Sequence, residues 1–141
     1  SVEENYVSRV MFASMQLKET GAINDALLES CGKIFDRGEH LLTLATYYQS
    51  KNQIERSYLH SSKMVKYIWN IPKTASMMID REVYFVVMPI VHAYNCYLLN
   101  KKEEAISAIG YCKRALDEGL VSNQNNRESI KKLFSAIQSM K

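Results

Sequence analysis

Only one pair of residues in this chain has a spacing that suits acid–base or nucleophilic chemistry. His92 and Cys96 are four positions apart in the segment VYFVVMPIVHAYNCYLL, so on a helix they would point to the same side. A cysteine nucleophile needs such a base beside it. The neighbouring residues are apolar, and a cysteine in such surroundings usually belongs to a packed core. We therefore expect a structural pair rather than a catalytic one.

The remaining histidines and acids have no spacing typical of a catalytic or metal site. His40 and His60 have no second histidine four positions away, so neither begins a metal-binding pair on one helix face. Acidic residues that are adjacent in sequence would point apart on a helix and could not act together as acid and base. Phosphate-binding glycine loops, GxSxG and HExxH are also absent from the sequence. We therefore predict no enzyme activity, no metal site and no cofactor.

Composition favours an all-α protein. Hydrophobic residues make up 47% of the 141 residues and charged residues 23%, which are ordinary values for a globular chain. Five Gly and two Pro are few for an all-β protein, which needs many turns. Long stretches are rich in Leu, Ala, Met, Glu, Lys and Gln, which favour helices.

Charge and cysteine content narrow the class of protein further. The net charge of +3 is too small to indicate a nucleic-acid-binding face, so we expect no nucleic-acid partner. Three widely spaced cysteines do not suggest a secreted disulfide scaffold. The first residues, SVEENYVSR, do not resemble a signal peptide, so we expect a cytoplasmic location. Because the chain does not start with Met, we also expect it to be part of a longer protein.

The uncharged segment 83–99 raises the question of a membrane span. It is shorter than the roughly 20 apolar residues that a helix needs to cross a bilayer. It also contains Pro89, His92 and Asn95. The residues before it are compatible with helix, so we predict one long, central, buried helix over 74–99 with a kink at Pro89. No membrane span is expected.

Three segments of the chain share a pattern that indicates a repeated pair of helices. They are LKETGAINDALLE, YQSKNQIERSYLH and YLLNKKEEAISAI. In each, a helix ends at a turn residue, which is Gly21, Asn52 or Asn100. A small residue follows five positions later and would let the second helix approach the first closely. These small residues are Ala26, Ser57 and Ala105.

The pattern resembles the tetratricopeptide repeat family, whose unit is a hairpin of two antiparallel helices. The residues that carry the resemblance in the second unit are Leu41, Leu44, Ala45, Tyr48, Asn52, Ile54 and Ser57. Those of the first and third units are Ser14, Leu17, Gly21, Ile23, Ala26, Ala93, Asn100 and Ala105.

The resemblance implies one all-α domain over 1–141, a right-handed superhelical stack of about three antiparallel hairpins. The hairpins would cover about 4–37, 39–70 and 74–118, followed by a capping helix at about 125–140. A generic helical bundle is the alternative.

The resemblance also implies a binding groove, because the first helices of the family's hairpins line a groove for peptides, proteins or small ligands. The positions that correspond to that groove are Met11, Met15, Lys18, Leu42, Thr46, Gln49, Ile90, Tyr94 and Tyr97. This lining is apolar and aromatic, and it suits an apolar or amphipathic segment of a partner protein. Packing against the next hairpin or the last helix is the alternative role for these residues; we favour it for Leu42 and Ile90, and leave both roles open for Tyr94 and Tyr97.

We therefore expect a non-catalytic helical-repeat scaffold that binds a protein or peptide. It would be the interaction module of a larger signalling or transcription-regulatory protein. A regulatory domain that senses a small molecule in the same groove is one alternative, and a secretion or assembly chaperone is another. Self-association as a homodimer through the face around Tyr94 and Tyr97 is also left open.

Overall fold

The computed structural model describes residues 1–75, 77 and 79–141. Seven α-helices follow one another in this part of the chain. They are α1 Val2–Thr20, α2 Asp25–Cys31, α3 Glu39–Ser50, α4 Ile54–Met64, α5 Met88–Leu98, α6 Lys102–Asp117 and α7 Gln124–Gln138. A 3-10 turn, Val65–Tyr67, extends α4, and a π-helical segment, Val83–Val87, leads into α5. No strand occurs among the described residues, so the predicted all-α class is confirmed.

The turns that the repeat pattern predicts at Gly21, Asn52 and Asn100 are all present. These residues have left-handed backbone conformations, with φ of 75°, 58° and 57°. After Asn52 and Asn100, the next N–H donates to the carbonyl oxygen five positions before it, at 2.9 and 2.8 Å. These bonds satisfy carbonyls that would otherwise have no partner at the helix end. The α3–α4 and α5–α6 turns therefore have the same geometry.

The small residues predicted in the second helix of each hairpin are buried in two of the three cases. Ser57 of α4 and Ala105 of α6 are fully buried, which lets these helices lie close to α3 and α5. Ala26 of α2 is exposed, so the expectation is wrong for the first hairpin. The reason is that Asn24 caps α2, so this helix begins farther from its turn residue than α4 and α6 do from theirs. Leu28 is therefore the buried residue of α2, in place of Ala26.

Neighbouring helices in the sequence pack against each other, most extensively α3 with α4 and α5 with α6. Alternate helices also touch, since α3 contacts both α1 and α5, and α5 contacts α7. The odd-numbered helices therefore follow one another along one side of the molecule. This order places the final helix directly beside α5.

Apolar side chains are buried in three clusters along the chain of helices. The largest lies between α5, α6 and α7 and includes Ile109, Ile130 and Ile137. A second joins the start of α3 to the π-helical segment through Leu41 and Tyr84. The third joins α1 and α2 to α3. Burial of each large apolar side chain contributes about 1.5–3 kcal/mol to stability.

The helix predicted over 74–99 begins later than expected. Ser76 and Met78 lie outside the described residues, and their described neighbours between 70 and 80 are not helical. Asp80 accepts a hydrogen bond from the Glu82 N–H at 3.0 Å, which marks a new helix start just before the π-helical segment. The sequence pattern could not show this start, because the residues on both sides of it favour helix.

Pro89 lies in the first turn of α5, two residues after the π-helical segment ends. It has no N–H to donate to the Phe85 carbonyl, and its ring would crowd that carbonyl in a regular helix. Widening of the helix at 83–87 relieves this conflict. The structure therefore shows a π-helical widening upstream of the proline, and the kink at Pro89 stays a prediction. No helix among the described residues has both the length and the apolar character that a bilayer crossing needs.

Trp69 joins the 3-10 turn to the rest of the molecule. Its backbone is left-handed, with φ of 58°, and its N–H donates to the Tyr84 carbonyl at 3.2 Å. The indole stacks on Phe85 of the π-helical segment at a ring distance of 4.5 Å. The Arg114 guanidinium of α6 also lies over the ring, 4.1 Å from its centroid. Trp69 thus connects the end of α4 to the π-helical segment and to α6.

Candidate functional site

A cleft of about 380 Å³ lies between α3, α5 and α7. Its lining residues are Gln49, Ile90, Tyr94, Tyr97, Ser129, Lys132, Leu133 and Ala136. Helix α5 supplies most of the apolar and aromatic surface. Helix α7 adds the exposed hydroxyl of Ser129 and the exposed ammonium of Lys132. The lining therefore combines an apolar wall with a cationic rim.

The apolar wall comes from one face of α5. Ile90, Tyr94 and Tyr97 are spaced i, i+4 and i+7, which places them on the same side of the helix. Ile90 and Tyr97 are half-buried, whereas Tyr94 is 41% exposed. On the α7 side, Ala136 is small and leaves space between the two helices. The cleft therefore presents an aromatic surface to solvent.

Gln49 forms the polar end of the cleft and is held by two hydrogen bonds. Its Nε2 donates to the Val91 carbonyl at 3.1 Å and to Asn95 Oδ1 at 2.9 Å. Both acceptors belong to α5, so a side chain of α3 fixes the position of α5. This explains why a glutamine can stand at a half-buried position.

A buried polar network continues inward from Asn95. The Asn95 Nδ2 donates to Ser57 Oγ at 2.8 Å and to Ser61 Oγ at 3.1 Å. Ser57 in turn donates to the Ala45 carbonyl at 2.7 Å. Asn95 and both serines have no exposed surface. Because each of these polar groups has a partner, their burial does not carry the penalty of an unsatisfied group.

The network ends at a cluster of His92, Cys96 and Glu104 on the far side of α5. Ser61 Oγ lies 2.8 Å from His92 Nδ1, and the other ring nitrogen, Nε2, lies 3.4 Å from Cys96 Sγ. Glu104 Oε1, from the first turn of α6, is 4.0 Å from His92 Nε2. One donor atom from each of the three side chains lies within 4.8 Å of the other two, so together they could hold a metal ion.

The environment of this cluster favours neutral forms of His92 and Cys96. Burial lowers the pKa of the His92 imidazole, although the Glu104 carboxylate acts in the opposite direction. Burial raises the pKa of the Cys96 thiol to about 12; Glu104 adds to this shift and Lys101 opposes it. A nucleophilic cysteine needs its thiolate form. The pair thus stands as a neutral hydrogen-bonded pair at pH 7.

The nine groove residues suggested by the sequence fall into three sets. Gln49, Ile90, Tyr94 and Tyr97 line the cleft. Leu42 and Thr46 line a second depression, of about 480 Å³, together with residues of α1 and α3. Met11, Met15 and Lys18 line neither depression and are exposed on α1. Whether any of them contacts a partner stays a prediction.

Sequence reasoning missed the contribution of α7 to the cleft and of Glu104 to the cluster. Helix α7 was expected as a cap, but its side chain positions next to α5 depend on how the two helices cross. The apolar stripe of α7, which includes Leu133, was the available signal. Glu104 has no sequence signal of its own, because it meets His92 only through the packing of α6 on α5.

No protein-family model, curated protein or solved structure matches this chain.

Proposed function

We propose that this chain is a non-catalytic, tetratricopeptide-like scaffold that binds an apolar or amphipathic segment of a partner protein. The binding place is the cleft between α3, α5 and α7. The observation that carries the proposal is the exposed aromatic face of α5 beside Lys132. Aromatic side chains that remain accessible at a cleft are the usual anchors of peptide recognition.

The volume and openness of the cleft suit an anchored peptide. About 380 Å³ is at the lower end of the roughly 300–1,000 Å³ typical of ligand pockets. Because Tyr94 is 41% exposed, the space is not closed on all sides. A peptide could insert an apolar side chain there while its backbone stays at the surface. Lys132 would favour a partner with a carboxylate next to that side chain.

The tetratricopeptide-like part of the proposal is supported by the two later hairpins. The α3–α4 and α5–α6 turns share the left-handed Asn and the same pattern of closing hydrogen bonds. Ser57 and Ala105 are buried at the same distance from these turns. The proposed role as an interaction module of a larger signalling or transcription-regulatory protein rests on the family resemblance alone. A cytoplasmic location stays a prediction.

The test is a selection of peptides from a displayed random library on the purified 141-residue chain. The selected peptides should bind Tyr94→Ala at least about tenfold more weakly than the original chain, because an aromatic anchor is lost. Tyr111→Ala is the matched control, since Tyr111 is an exposed tyrosine of α6 that does not line the cleft. Circular dichroism would check that both variants keep the fold.

Two results would contradict this assignment. The first is a set of selected peptides whose affinity is the same for Tyr94→Ala and for the original chain. The second is a discrete dimer in light scattering that becomes a monomer in Tyr94→Ala, which would assign the aromatic face to self-association.

A small-molecule sensor is the second candidate, because the cleft volume also falls in the range of small-ligand pockets. Native mass spectrometry of the purified chain distinguishes the two. A retained non-protein mass that is lost in Tyr94→Ala would favour the sensor. A secretion or assembly chaperone would instead select long apolar peptides without a preferred sequence.

A further inference from the structure

We propose that His92, Cys96 and Glu104 form a binding site for one divalent transition-metal ion, with Zn²⁺ as the best match. The proposal does not depend on the function of the cleft, because the donor atoms are on the opposite side of α5. It concerns a site at the contact between α5 and α6.

The spacing of the three donor atoms suits a small tetrahedral ion. Donors at about 2.0–2.3 Å from Zn²⁺ lie about 3.4–3.6 Å from one another in a tetrahedron. The separation of His92 Nε2 and Cys96 Sγ, 3.4 Å, is already of this size. Glu104 Oε1 lies 4.0 Å from the same nitrogen, and the widest separation in the cluster is within 4.8 Å, so the carboxylate must move inward by about 0.6–1.2 Å. Its side chain is 46% exposed, so it has room to do so.

The chemistry of the donors fits zinc better than calcium or magnesium. A thiolate and an imidazole are ligands for Zn²⁺ and its neighbours in the transition series, whereas Mg²⁺ and Ca²⁺ require oxygen ligands. On metal binding the Cys96 thiol gives up its proton to solvent, and Glu104 contributes the second negative charge. The two negative charges then balance the charge of the ion, which a half-buried site requires. The fourth tetrahedral position is left for water.

Hydrogen bonds around the cluster hold the donors in the required orientation. The His92 Nδ1–H can donate to Ser61 Oγ, at 2.8 Å, which leaves the lone pair of Nε2 directed toward Cys96 and Glu104. The Tyr58 hydroxyl donates to Glu104 Oε1 at 2.7 Å. The Tyr58 ring also stacks on the His92 ring, at 5.7 Å. Metal-binding histidines are usually oriented by such a partner on the other nitrogen.

In this arrangement, the donor and both acceptor positions of the Ser61 hydroxyl have hydrogen-bond partners. Its two lone pairs accept from Asn95 Nδ2 and from His92 Nδ1, and its own proton points to the Tyr58 carbonyl, at 3.5 Å. The buried network therefore supports the tautomer of His92 that a metal ion would need.

One positive charge opposes the ion. The Lys101 ammonium lies over the Tyr58 ring, 4.8 Å from its centroid, and that ring stacks on the ring of His92. Removal of this ammonium should strengthen metal binding. Lys101→Met is therefore expected to bind Zn²⁺ several-fold more tightly than the original chain.

The experiment uses the whole 141-residue chain with its thiols kept reduced by a phosphine. Calorimetry with Zn²⁺ should give one ion per chain. Co²⁺ in its place should produce a thiolate-to-metal charge-transfer band in the near ultraviolet, which only cysteine ligation gives. Glu104→Gln, a substitution at a half-exposed surface position, should weaken Zn²⁺ binding about tenfold or more.

Cysteine variants identify the ligand. The double variant Cys31→Ala/Cys112→Ala retains Cys96 and should keep the Co²⁺ band, whereas Cys96→Ala should lose it. Ser61→Ala should weaken binding by about 10–100-fold through the orientation of His92. Absence of the band in the original chain would overturn the proposal. So would binding that Glu104→Gln leaves unchanged, even if Cys96→Ala does not fold.

Discussion

Tyr6 and His40 show how a buried histidine can be held in its neutral form. The Tyr6 hydroxyl accepts a hydrogen bond from the His40 backbone N–H at 3.1 Å. It must therefore use its own proton for His40 Nδ1, at 2.8 Å. Nδ1 is then an acceptor, so the ring of His40 carries its proton on Nε2. Burial lowers the pKa of His40 to about 4; Glu39 opposes this shift, while His60 and Lys66 add to it.

This shift predicts a loss of stability in weak acid. The pKa of His40 falls from 6.5 in the unfolded chain to about 4 in the folded one, so between these values only the unfolded chain binds the proton. The free energy of unfolding should therefore have its full value above pH 6.5. It should decrease as the pH falls from 6.5 toward 4, by at most about 1.4 kcal/mol per pH unit. Urea unfolding at a series of pH values measures the slope.

His40→Asn is the variant that isolates this contribution, because the Asn Oδ1 can accept the Tyr6 proton without titrating. The slope should become smaller in this variant. It should not vanish, since burial also lowers the pKa of His60. An identical slope in both proteins would show that His40 is not responsible for the acid sensitivity.

At the scale of the elements, the turns between helices were predictable because their cause is local. Asn52 and Asn100 are in the left-handed region, which Gly and Asn adopt more readily than other residues. The helix start at Asp80 was not predictable in the same way. The segment before it is held to α1 by a hydrogen bond from the Met77 N–H to Glu3, at 3.0 Å, and no local pattern signals a contact between residues so far apart.

Because Asn100 is in the left-handed region, glycine at this position should give a more stable protein than alanine does. Asn100→Gly should leave stability unchanged or increase it, whereas Asn100→Ala should cost about 1–2 kcal/mol, because alanine is strained at a φ of 57°. Thermal unfolding followed by circular dichroism measures both.

Ser107, an exposed residue inside α6, is the control position, where alanine and glycine should have the opposite order of stability. There Ser107→Gly should be less stable than Ser107→Ala by about 1 kcal/mol. The same order of alanine and glycine at both positions would mean that the turn is not left-handed in solution.

The candidate site was predictable to the extent that it depends on one helix. Ile90, Tyr94 and Tyr97 share a face of α5 by spacing alone, and so do His92 and Cys96. The other wall of the cleft and the third donor of the cluster come from α7 and α6. Their positions depend on helix crossing, which a single sequence does not encode in any short pattern.

At the scale of the whole molecule, a buried ion pair connects parts of the chain that are distant in sequence. Arg37 contacts Glu3 of α1 at 3.2 Å and Glu39 of α3 at 2.6 Å. The side chains of Arg37 and Glu3 are each only 5% exposed. Tyr84 of the π-helical segment donates to the second oxygen of Glu39 at 2.7 Å. One guanidinium thus joins the N-terminal helix to the middle of the molecule.

Removal of this guanidinium should be costly. In Arg37→Met the buried carboxylate of Glu3 and the half-buried carboxylate of Glu39 lose the cation that they share, and the free energy of unfolding should fall by about 3–5 kcal/mol. That is a large fraction of the roughly 5–15 kcal/mol by which proteins are stable. Urea unfolding at neutral pH measures the change.

Asp117→Asn is the control, because it removes an exposed ion pair with Lys113, in which the side chains are 67% and 50% exposed. Its cost should be below about 1 kcal/mol. Equal losses in the two variants would mean that the Arg37 cluster is as well hydrated as the molecular surface.

The position of Trp69 gives the protein an internal optical reporter. It is the one tryptophan in the sequence, so all indole fluorescence comes from a single place. That place is where the 3-10 turn, the π-helical segment and α6 meet, with both Phe85 and Arg114 against the ring. Separation of any of these elements would expose the indole and move its emission to longer wavelength. The native chain therefore needs no added dye to follow its unfolding at this junction.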